Sequence, residues 1–236
     1  MKLIKQLLVL TFLLVFSSVI VNADSTEKQN RSVRDFSEIS VSSGIDLYLT
    51  MGDEEKVTIV ADDEIIDDII TEVRGDQLKI YLKERPFRFR WKWNQERKAY
   101  VTVKTIKEIK ASAGSDVASE NVIKGESLEV HASSGSDVRM EVNVNKLVLK
   151  ASSGSDANLS GLAKYFDADA SSGSDIRASY LKTKICRVEV SSGSDASVYA
   201  TDEIEAHASS GGDIKYYGNP ELRDIHESSG GDVHKR

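Results

Sequence analysis

Apolar and polar residues alternate through the second half of the chain, and the alternation restarts after each copy of one short tract. The tract is Ser-Ser-Gly-Ser-Asp or a near copy, and its glycines recur every 18 to 21 residues. These glycines are Gly114, Gly135, Gly154, Gly173, Gly193, Gly211 and Gly230. An isolated copy, Ser42-Ser43-Gly44-Ile45-Asp46, lies far upstream. Self-similarity at a fixed period of this size is typical of a repeat architecture.

The copies share apolar positions that are spaced by two residues on both sides of the glycine. Around Gly135 these are Leu128, Val130 and Ala132 before it and Val138 after it. A period of two indicates strands with one buried face and one wet face. Each repeat is therefore predicted to be a strand, a tight turn of small residues, a second strand and a looser polar return.

The pattern predicts an all-β, single-domain parallel β-helix with coils of about 19 residues. One coil buries too few side chains to offset the entropy of ordering its residues, so neighbouring coils must stabilise one another. We expect the domain to span residues 24–236, with irregular coils over about 33–106 and regular coils over about 107–232. The general crossover preference favours a right-handed coil. Arg223 and Glu227 at inward positions of the last copy predict a capping coil.

The N-terminal half contains strand-like runs with one interruption. Three acidic residues, Asp62 to Glu64, precede a run of apolar residues that ends at Val73. This pattern predicts a short amphipathic helix with an acidic first turn, lying as a lid over the first coils.

Several motifs, in their order along the chain, resemble one known family. Arg34 to Val41 comes first, then Gly44 to Leu49, then Gln77 to Ile80, and then the Gly-Ser-Asp coils. Together they resemble the putative auto-transporter adhesin, head GIN domain family, over about residues 33–236. The resemblance implies an exported parallel β-helix with an adhesin role, and it implies no functional residues.

The first 23 residues are predicted to be a signal peptide. Lys2 and Lys5 precede an apolar run, and Val21-Asn22-Ala23 supplies the small residues that a signal peptidase recognises. We therefore expect an exported protein that resides in the periplasm, at the outer surface or in the medium, with no transmembrane domain in the mature chain. An uncleaved N-terminal anchor is the alternative.

Charge and cysteine content narrow the function classes. The whole chain has a net charge of −7, with 31 basic and 38 acidic residues. Loss of Lys2 and Lys5 with the signal peptide leaves 29 basic residues and a net charge of −9. This balance argues against a nucleic-acid partner. The single cysteine, Cys186, permits no internal disulfide bond.

The repeated aspartates and serines are candidates for chemistry. The aspartates are Asp116, Asp137, Asp156, Asp175, Asp195, Asp213 and Asp232. A row of calcium ions is one interpretation, but we favour carboxylates that accept hydrogen bonds from their own turn and face water. The serines that precede the glycines are Ser134, Ser153, Ser172, Ser192, Ser210 and Ser229. They are expected to stack inside the corner rather than act as nucleophiles, because a nucleophile needs a positioned base.

One aromatic and basic segment does not repeat, and it is the predicted partner-binding site. Its residues are Phe87, Arg88, Phe89, Arg90, Trp91, Lys92 and Trp93. Alternation places the aromatic residues on one face and the cations on the other, which suits a protein, glycan or cell-surface ligand. An ordinary hairpin strand that packs its aromatics on the solenoid is the alternative.

These observations predict a non-enzymatic, exported β-solenoid that acts as an adhesin-like interaction module of the envelope or surface. The first alternative is a structural scaffold that self-associates, and the second is a carbohydrate-active enzyme. The second is disfavoured because the acids are evenly repeated rather than clustered in a cleft. No catalytic residue, cofactor or metal site is predicted.

Overall fold

The computed structural model describes residues 25–83 and 95–236. Within these ranges the chain forms 17 strands in one sheet and one 3₁₀ turn, Ile66–Asp68. The N-terminal strands are β1 Thr26–Arg31, β2 Glu38–Val41, β3 Asp46–Met51, β4 Lys56–Asp62, β5 Ile69–Arg74, β6 Gln77–Leu82, β7 Arg97–Val103, β8 Glu108–Ala111 and β9 Val117–Ser119. The remaining strands are β10 Ile123–Ala132, β11 Val138–Ser152, β12 Asp156–Ser171, β13 Asp175–Val190, β14 Asp195–Ala208, β15 Asp213–Gly218, β16 Glu221–Glu227 and β17 Asp232–Lys235.

Consecutive repeats stack as parallel coils, which confirms the predicted solenoid. Strands β11, β12 and β13 pair in parallel over nearly their full lengths, so that Ala151 pairs with Ala170 and Ala170 with Val190. Each of these strands continues through the return that the sequence pattern predicted to be a loose connection. Asn143 pairs with Leu162 and Lys146 with Tyr165. The prediction of a loose return was therefore wrong, because the returns complete their backbone hydrogen bonds with neighbouring coils as the corners do.

The isolated upstream copy of the tract forms the coil next to the first regular one. The Gly44 amide donates to the Ala113 carbonyl at 3.0 Å, β2 pairs with β8, and β3 pairs with β9. On the opposite side of this coil, β6 pairs in parallel with β2 and β7 with β3. The β2–β3 layer therefore lies inside the stack, between the β6–β7 layer and the β8–β9 layer, and β5, β4 and β1 pair beyond β6 and β7 by antiparallel contacts.

The predicted N-terminal helix is absent from the described residues. Asp62 belongs to β4, a single 3₁₀ turn follows, and β5 then pairs antiparallel with β6. Most apolar residues of this run are β-branched isoleucine and valine, which lose rotamer freedom in a helix and pack well in a strand. The antiparallel partner β6 supplies the hydrogen bonds that a helix would have made internally. The acidic first turn was therefore a misleading signal.

The core consists of straight rows of inward side chains, one from each coil. One row is continuous across eight layers and is fully buried in each of them. Its members are Leu78, Ile39, Ile109, Val130, Leu149, Ala168, Val188 and Ala206, in spatial order. Strand stacking sets neighbouring members about 4.8 Å apart, so each side chain is covered by those above and below.

The Ser-Gly corners place two consecutive residues of each coil in the left-handed backbone region. Ser153, for example, has a φ of 57° and Gly154 a φ of 70°. From Gly44 to Gly193, the glycine amide of a corner donates to the carbonyl of the next corner, as Gly154 does to Ser172 at 3.1 Å. Small residues suit this corner because each of its left-handed positions disfavours a bulky side chain.

The serines stacked inside the corner are not the ones that were predicted. Ser134 and its equivalents before the glycine are exposed, whereas the serine after each glycine is fully buried. The buried serines are Ser115, Ser136, Ser155, Ser174 and Ser194. Their hydroxyls bond to the backbone of their own or neighbouring coils: the Ser174 amide donates to Ser194 Oγ, and Ser155 Oγ donates to the Ala132 carbonyl. The left-handed φ of the preceding serine turns that residue outward and this one inward.

The last coil differs from its predicted form by one residue. Leu222 pairs with Ile204 and Ile225 with Ala206, because a register shift in β16 inserts an extra residue between them. Arg223 is therefore displaced from the inward row to the surface, where it forms ion pairs with Glu203 and Glu221. Leu222 is left 52 % exposed and Ile225 36 % exposed. A bulge and charged neighbours are typical of an edge that resists further pairing.

Replacement of Gly161 by alanine is expected to destabilise the solenoid strongly. Gly161 has a φ of 106°, and an added Cβ would overlap the backbone of Val142 on the neighbouring coil. We expect a loss of at least about 3 kcal/mol in the free energy of unfolding, from steric overlap and backbone strain together. The matched control is Gly154→Ala, where a Cβ has open space and only the left-handed strain of about 1–2 kcal/mol applies. Urea unfolding of both variants measures the difference, and equal losses would contradict the close approach at Gly161.

Replacement of Ser155 by alanine tests the buried serine row. The Ser155 hydroxyl donates to the Ala132 carbonyl at 2.9 Å and accepts from the Ser152 amide at 3.0 Å. We expect Ser155→Ala to lose about 1–3 kcal/mol of stability, because buried polar groups of the backbone lose a partner. The control Ser127→Ala removes an exposed hydroxyl in β10 and is expected to change stability by less than about 0.5 kcal/mol. Similar unfolding curves for both variants would remove the structural role of this row.

Candidate interaction surfaces

The predicted contact segment, Phe87 to Trp93, lies outside the described residues. It connects β6 to β7 along the chain. The partner-binding role of this segment therefore stays a prediction. The described residues present three other surfaces on which side chains stand in rows.

The aspartates form a row that crosses the coils in register. Asp175 pairs with Asp156 and Asp195, and Asp213 pairs with Asp195 and Asp232. Their carboxylates bond between coils: Asp116 Oδ1 accepts from the Asp137 amide at 3.0 Å, and Asp137 Oδ1 accepts from the Asp156 amide at 3.3 Å. The expectation that each aspartate caps its own turn was wrong, because parallel stacking brings the next coil's amide closer to the carboxylate.

Cations in the adjacent row offset the charge of the aspartates. This row has a cation at every second coil, namely Arg139, Arg177 and Lys215. Arg177 Nη1 lies 2.9 Å from Asp156 Oδ2, and its Nη2 lies 2.8 Å from Asp175 Oδ2. The hydrogen bond to Asp156 is the main reason that the pKa of Arg177 is raised. The protein's own side chains thus supply counter-charges along the row.

A second outward face carries carboxylates and histidines on the strands that precede the corners. His207 Nε2 lies 3.0 Å from Asp224 Oδ2, and its Nδ1 lies 3.8 Å from Glu189 Oε1. The neighbouring Asp169 is half-buried. Burial raises the pKa of Asp169, and the negative charges of Glu189 and Asp167 raise it further. Protonation of Asp169 is therefore more favourable in the folded protein than in water.

The returns of three regular coils form the third surface, which we term the basic return surface. Its members are Lys146, Leu162, Lys164, Tyr165, Tyr180, Lys182 and Lys184. Parallel pairing aligns Lys146 with Tyr165 and Leu162 with Lys182. The next coil ends this surface, because its return contains Asp202 and Glu203.

Three large hydrophobic side chains among these lysines are exposed to solvent. Tyr180 is 81 % exposed, Leu162 is 50 % exposed and Tyr165 is 37 % exposed. Lys164 Nζ lies 4.8 Å from the centroid of the Tyr165 ring, which is within the range of a cation–π contact. Sequence reasoning missed this surface because its residues fall between the repeated tracts. The recurrence of lysine in three successive returns was the available signal.

The single cysteine does not contribute to any of these surfaces. Cys186 is fully buried in the core, and burial raises the pKa of its thiol. A thiol is nucleophilic as the thiolate, so this environment suits an inert core residue.

Helices of the length and apolarity needed to cross a membrane do not occur in residues 25–83 and 95–236.

Stacked parallel coils with outward rows of side chains define a β-solenoid. A family model described as putative auto-transporter adhesin, head GIN domain, matches residues 35–220, and the chain belongs to that family. This finding confirms the resemblance seen in the sequence. A comparison with curated proteins finds no match.

Solved structures from Bacteroides and Parabacteroides share the fold. A structure described as a putative adhesin from Bacteroides fragilis has a TM-score of 0.82 at 20 % identity, covering 91 % of this chain and 98 % of its own. Two structures from Parabacteroides distasonis, a putative lipid binding protein and a putative adhesin, have TM-scores of 0.70 and 0.71 at 19 % and 21 % identity. Each covers 91 % of this chain and 98 % of its own. The family model and these structures carry the descriptions putative adhesin or putative lipid binding protein.

Replacement of Asp169 by asparagine is expected to stabilise the protein at neutral pH. Because the folded-state pKa of Asp169 is raised, the folded state binds this proton more tightly than the unfolded state does. Its carboxylate therefore lowers stability as pH rises above the usual aspartate range, and this penalty is absent near pH 3. We expect Asp169→Asn to gain less than about 1 kcal/mol at pH 7, since the group is partly exposed to water. Thermal unfolding at both pH values measures the effect, and an equal gain at pH 3 would contradict it.

Proposed function

We propose that this protein is an exported, non-enzymatic interaction module of the cell envelope, adhesin-like in that it binds an anionic surface polysaccharide. The observation that best supports this proposal is the basic return surface. Four lysines and two exposed tyrosines lie together there on a chain whose net charge is −7. Concentration of positive charge on one side of an acidic protein attracts a polyanion to that side.

The aromatic side chains give the basic return surface a second mode of contact. Tyr180 and Tyr165 expose amphipathic rings, which combine apolar area with a polar tip. The lysines are solvent-exposed and flank these rings within the same three coils. A sugar chain that bears carboxylates or sulfates offers both partners, since its ring faces are apolar and its substituents are anionic. The coil spacing of about 4.8 Å presents such contacts repeatedly.

The aromatic and basic segment Phe87 to Trp93 is proposed as a further contact for the same ligand. It combines aromatic with cationic side chains, as the basic return surface does. Aromatic and arginine side chains contribute most of the binding energy at many interfaces.

Self-association is the second candidate function, and the last coil carries the observation for it. Leu222 and Ile225 are exposed there, and among the described residues β16 pairs on one side only. The bulge at Arg223 and the charges along β16 oppose end-to-end pairing. Solution scattering over a concentration series would support this candidate by an increase in length, and a constant length would remove it.

Reversal of two charges on the basic return surface tests the polysaccharide proposal. The double variant Lys164→Glu with Lys182→Glu is expected to weaken binding to immobilised heparin, the anionic probe, at least tenfold at 0.15 M salt. Neutral dextran should bind neither protein. The matched control is Lys28→Glu with Lys56→Glu, two exposed lysines of β1 and β4 with the same change in net charge.

The outcomes of these experiments distinguish the basic return surface from the 87–93 segment, and a polysaccharide partner from a lipid surface. Equal weakening in both double variants, or no binding to heparin, would overturn the basic return surface as the contact. A Trp91→Ala and Trp93→Ala variant that folds and binds as the wild type does would remove the 87–93 segment. Binding to vesicles of anionic phospholipid, without binding to heparin, would replace the polysaccharide by a lipid surface.

A further inference from the structure

A separate cluster on the histidine-bearing face combines three potential metal ligands. Glu108 on β8 pairs directly with Glu129 on β10, and His131 lies two residues beyond Glu129 on the same face. The ligand atoms of Glu108, Glu129 and His131 all lie within 4.8 Å of one another. The same Glu-x-His spacing recurs as Glu205 and His207 on β14, but there the preceding coil places Arg187, and not a glutamate, beside Glu205.

The position of one ring nitrogen shows where the three groups converge. His131 Nε2 lies 2.8 Å from Glu129 Oε1 and 3.5 Å from Glu108 Oε1. A ring nitrogen carries at most one proton and can donate it well to only one of these oxygens. A divalent cation in place of that proton would contact both carboxylates and the nitrogen at once.

We propose that Glu108, Glu129 and His131 form a binding site for a transition-metal ion, with zinc as the best fit. Three protein ligands plus water is a common zinc arrangement, and the ligands of a tetrahedral ion stand about 3.3 Å apart. The three ligand atoms lie within 4.8 Å of one another and would move closer together when an ion binds. The imidazole favours zinc over calcium or magnesium, which prefer oxygen ligands alone.

Burial and neighbouring charges fit a site that keeps one side open. The side chains of Glu108, His131 and Glu129 are 18 %, 28 % and 41 % exposed, so that water can reach the fourth position. Lys110 Nζ holds Glu108 Oε2 at 2.7 Å and leaves Oε1 directed at His131. Lys150 Nζ lies 3.6 Å from Glu129 Oε1 and is half exposed, so that it can move into water when a metal binds.

The carboxylate row provides the negative charge that a cation needs. Glu38 on β2 pairs with Glu108 from the other side, so three carboxylates stand in successive coils. Like charges directly opposite one another on adjacent strands are destabilising. A bound cation would relieve this repulsion, whereas Lys110 and Lys150 offset it only in part.

His207 offers a contrast on the same face. It also lies between two carboxylates, but Asp224 contacts its Nε2 and Glu189 is nearest its Nδ1. The two nitrogens point in different directions, so those carboxylates cannot share one ion with a single ring nitrogen. His207 is therefore a matched control that has the same residue types without the convergent geometry.

Calorimetric titration of the full chain with zinc tests the proposal. We expect one ion per chain, and we expect His131→Gln and Glu108→Gln each to weaken binding at least tenfold, whereas His207→Gln leaves it unchanged. Cobalt(II) added to the wild type should give the intense visible absorption of a four-coordinate ion, and His131→Gln should lose it. Calcium should not compete at equal concentration.

A stability readout separates metal binding from loss of fold. Excess zinc should raise the unfolding midpoint of the wild type, because a ligand that binds only the folded state stabilises it. The His131→Gln variant should keep the metal-free midpoint and lose this rise. Absence of binding heat and of any midpoint shift, or equal zinc affinity in wild type and His131→Gln, would overturn the site. Weakening by His207→Gln alone would relocate the ion and overturn it as well.

Discussion

Every coil depends on its neighbours for its backbone hydrogen bonds, and this constraint governs the rest of the structure. Strands β11 to β14 use both edges for parallel pairing, and even the Ser-Gly corners bond from coil to coil. A buried backbone group without a partner is costly, so the register between coils is strongly specified. In-register stacking then places equivalent side chains in straight rows.

Rows of equivalent residues stabilise the stack where they are apolar, and they place like charges next to one another where they are acidic. The inward rows bury apolar side chains against one another and stabilise the stack. The aspartate row places like charges at the coil spacing, and the structure offsets it with inter-coil hydrogen bonds and with Arg177 between two aspartates. In the glutamate row, Lys110 and Lys150 lie beside Glu108 and Glu129, and His131 Nε2 lies within 3.5 Å of one oxygen of each glutamate. The same geometry thus produces both stability and charged sites.

Both proposed sites lie outside the repeated Ser-Gly-Ser-Asp tract. The basic return surface lies between the tracts, where side chains vary from coil to coil, and the Glu108–Glu129–His131 cluster occurs where two coils of different composition meet. The structures described as putative adhesins from Bacteroides fragilis and Parabacteroides distasonis share this fold at 20 % and 21 % identity, so the fold persists while most residues differ.

The sequence by itself determined the architecture: the period of the Ser-Gly-Ser-Asp tract and the alternation around it predict parallel coils and identify the inward residues of 128–138 and their equivalents. Those features depend on local spacing, which a sequence displays directly. The tertiary structure decided what depends on distant partners. It placed the upstream copy at Gly44 beside the corner at Ala113, turned the run after Asp62 into a strand paired with β6, and displaced Arg223 through a bulge. It also brought Glu108 against Glu129 and aligned the lysines of three returns, because only stacking specifies which residues of different coils become neighbours.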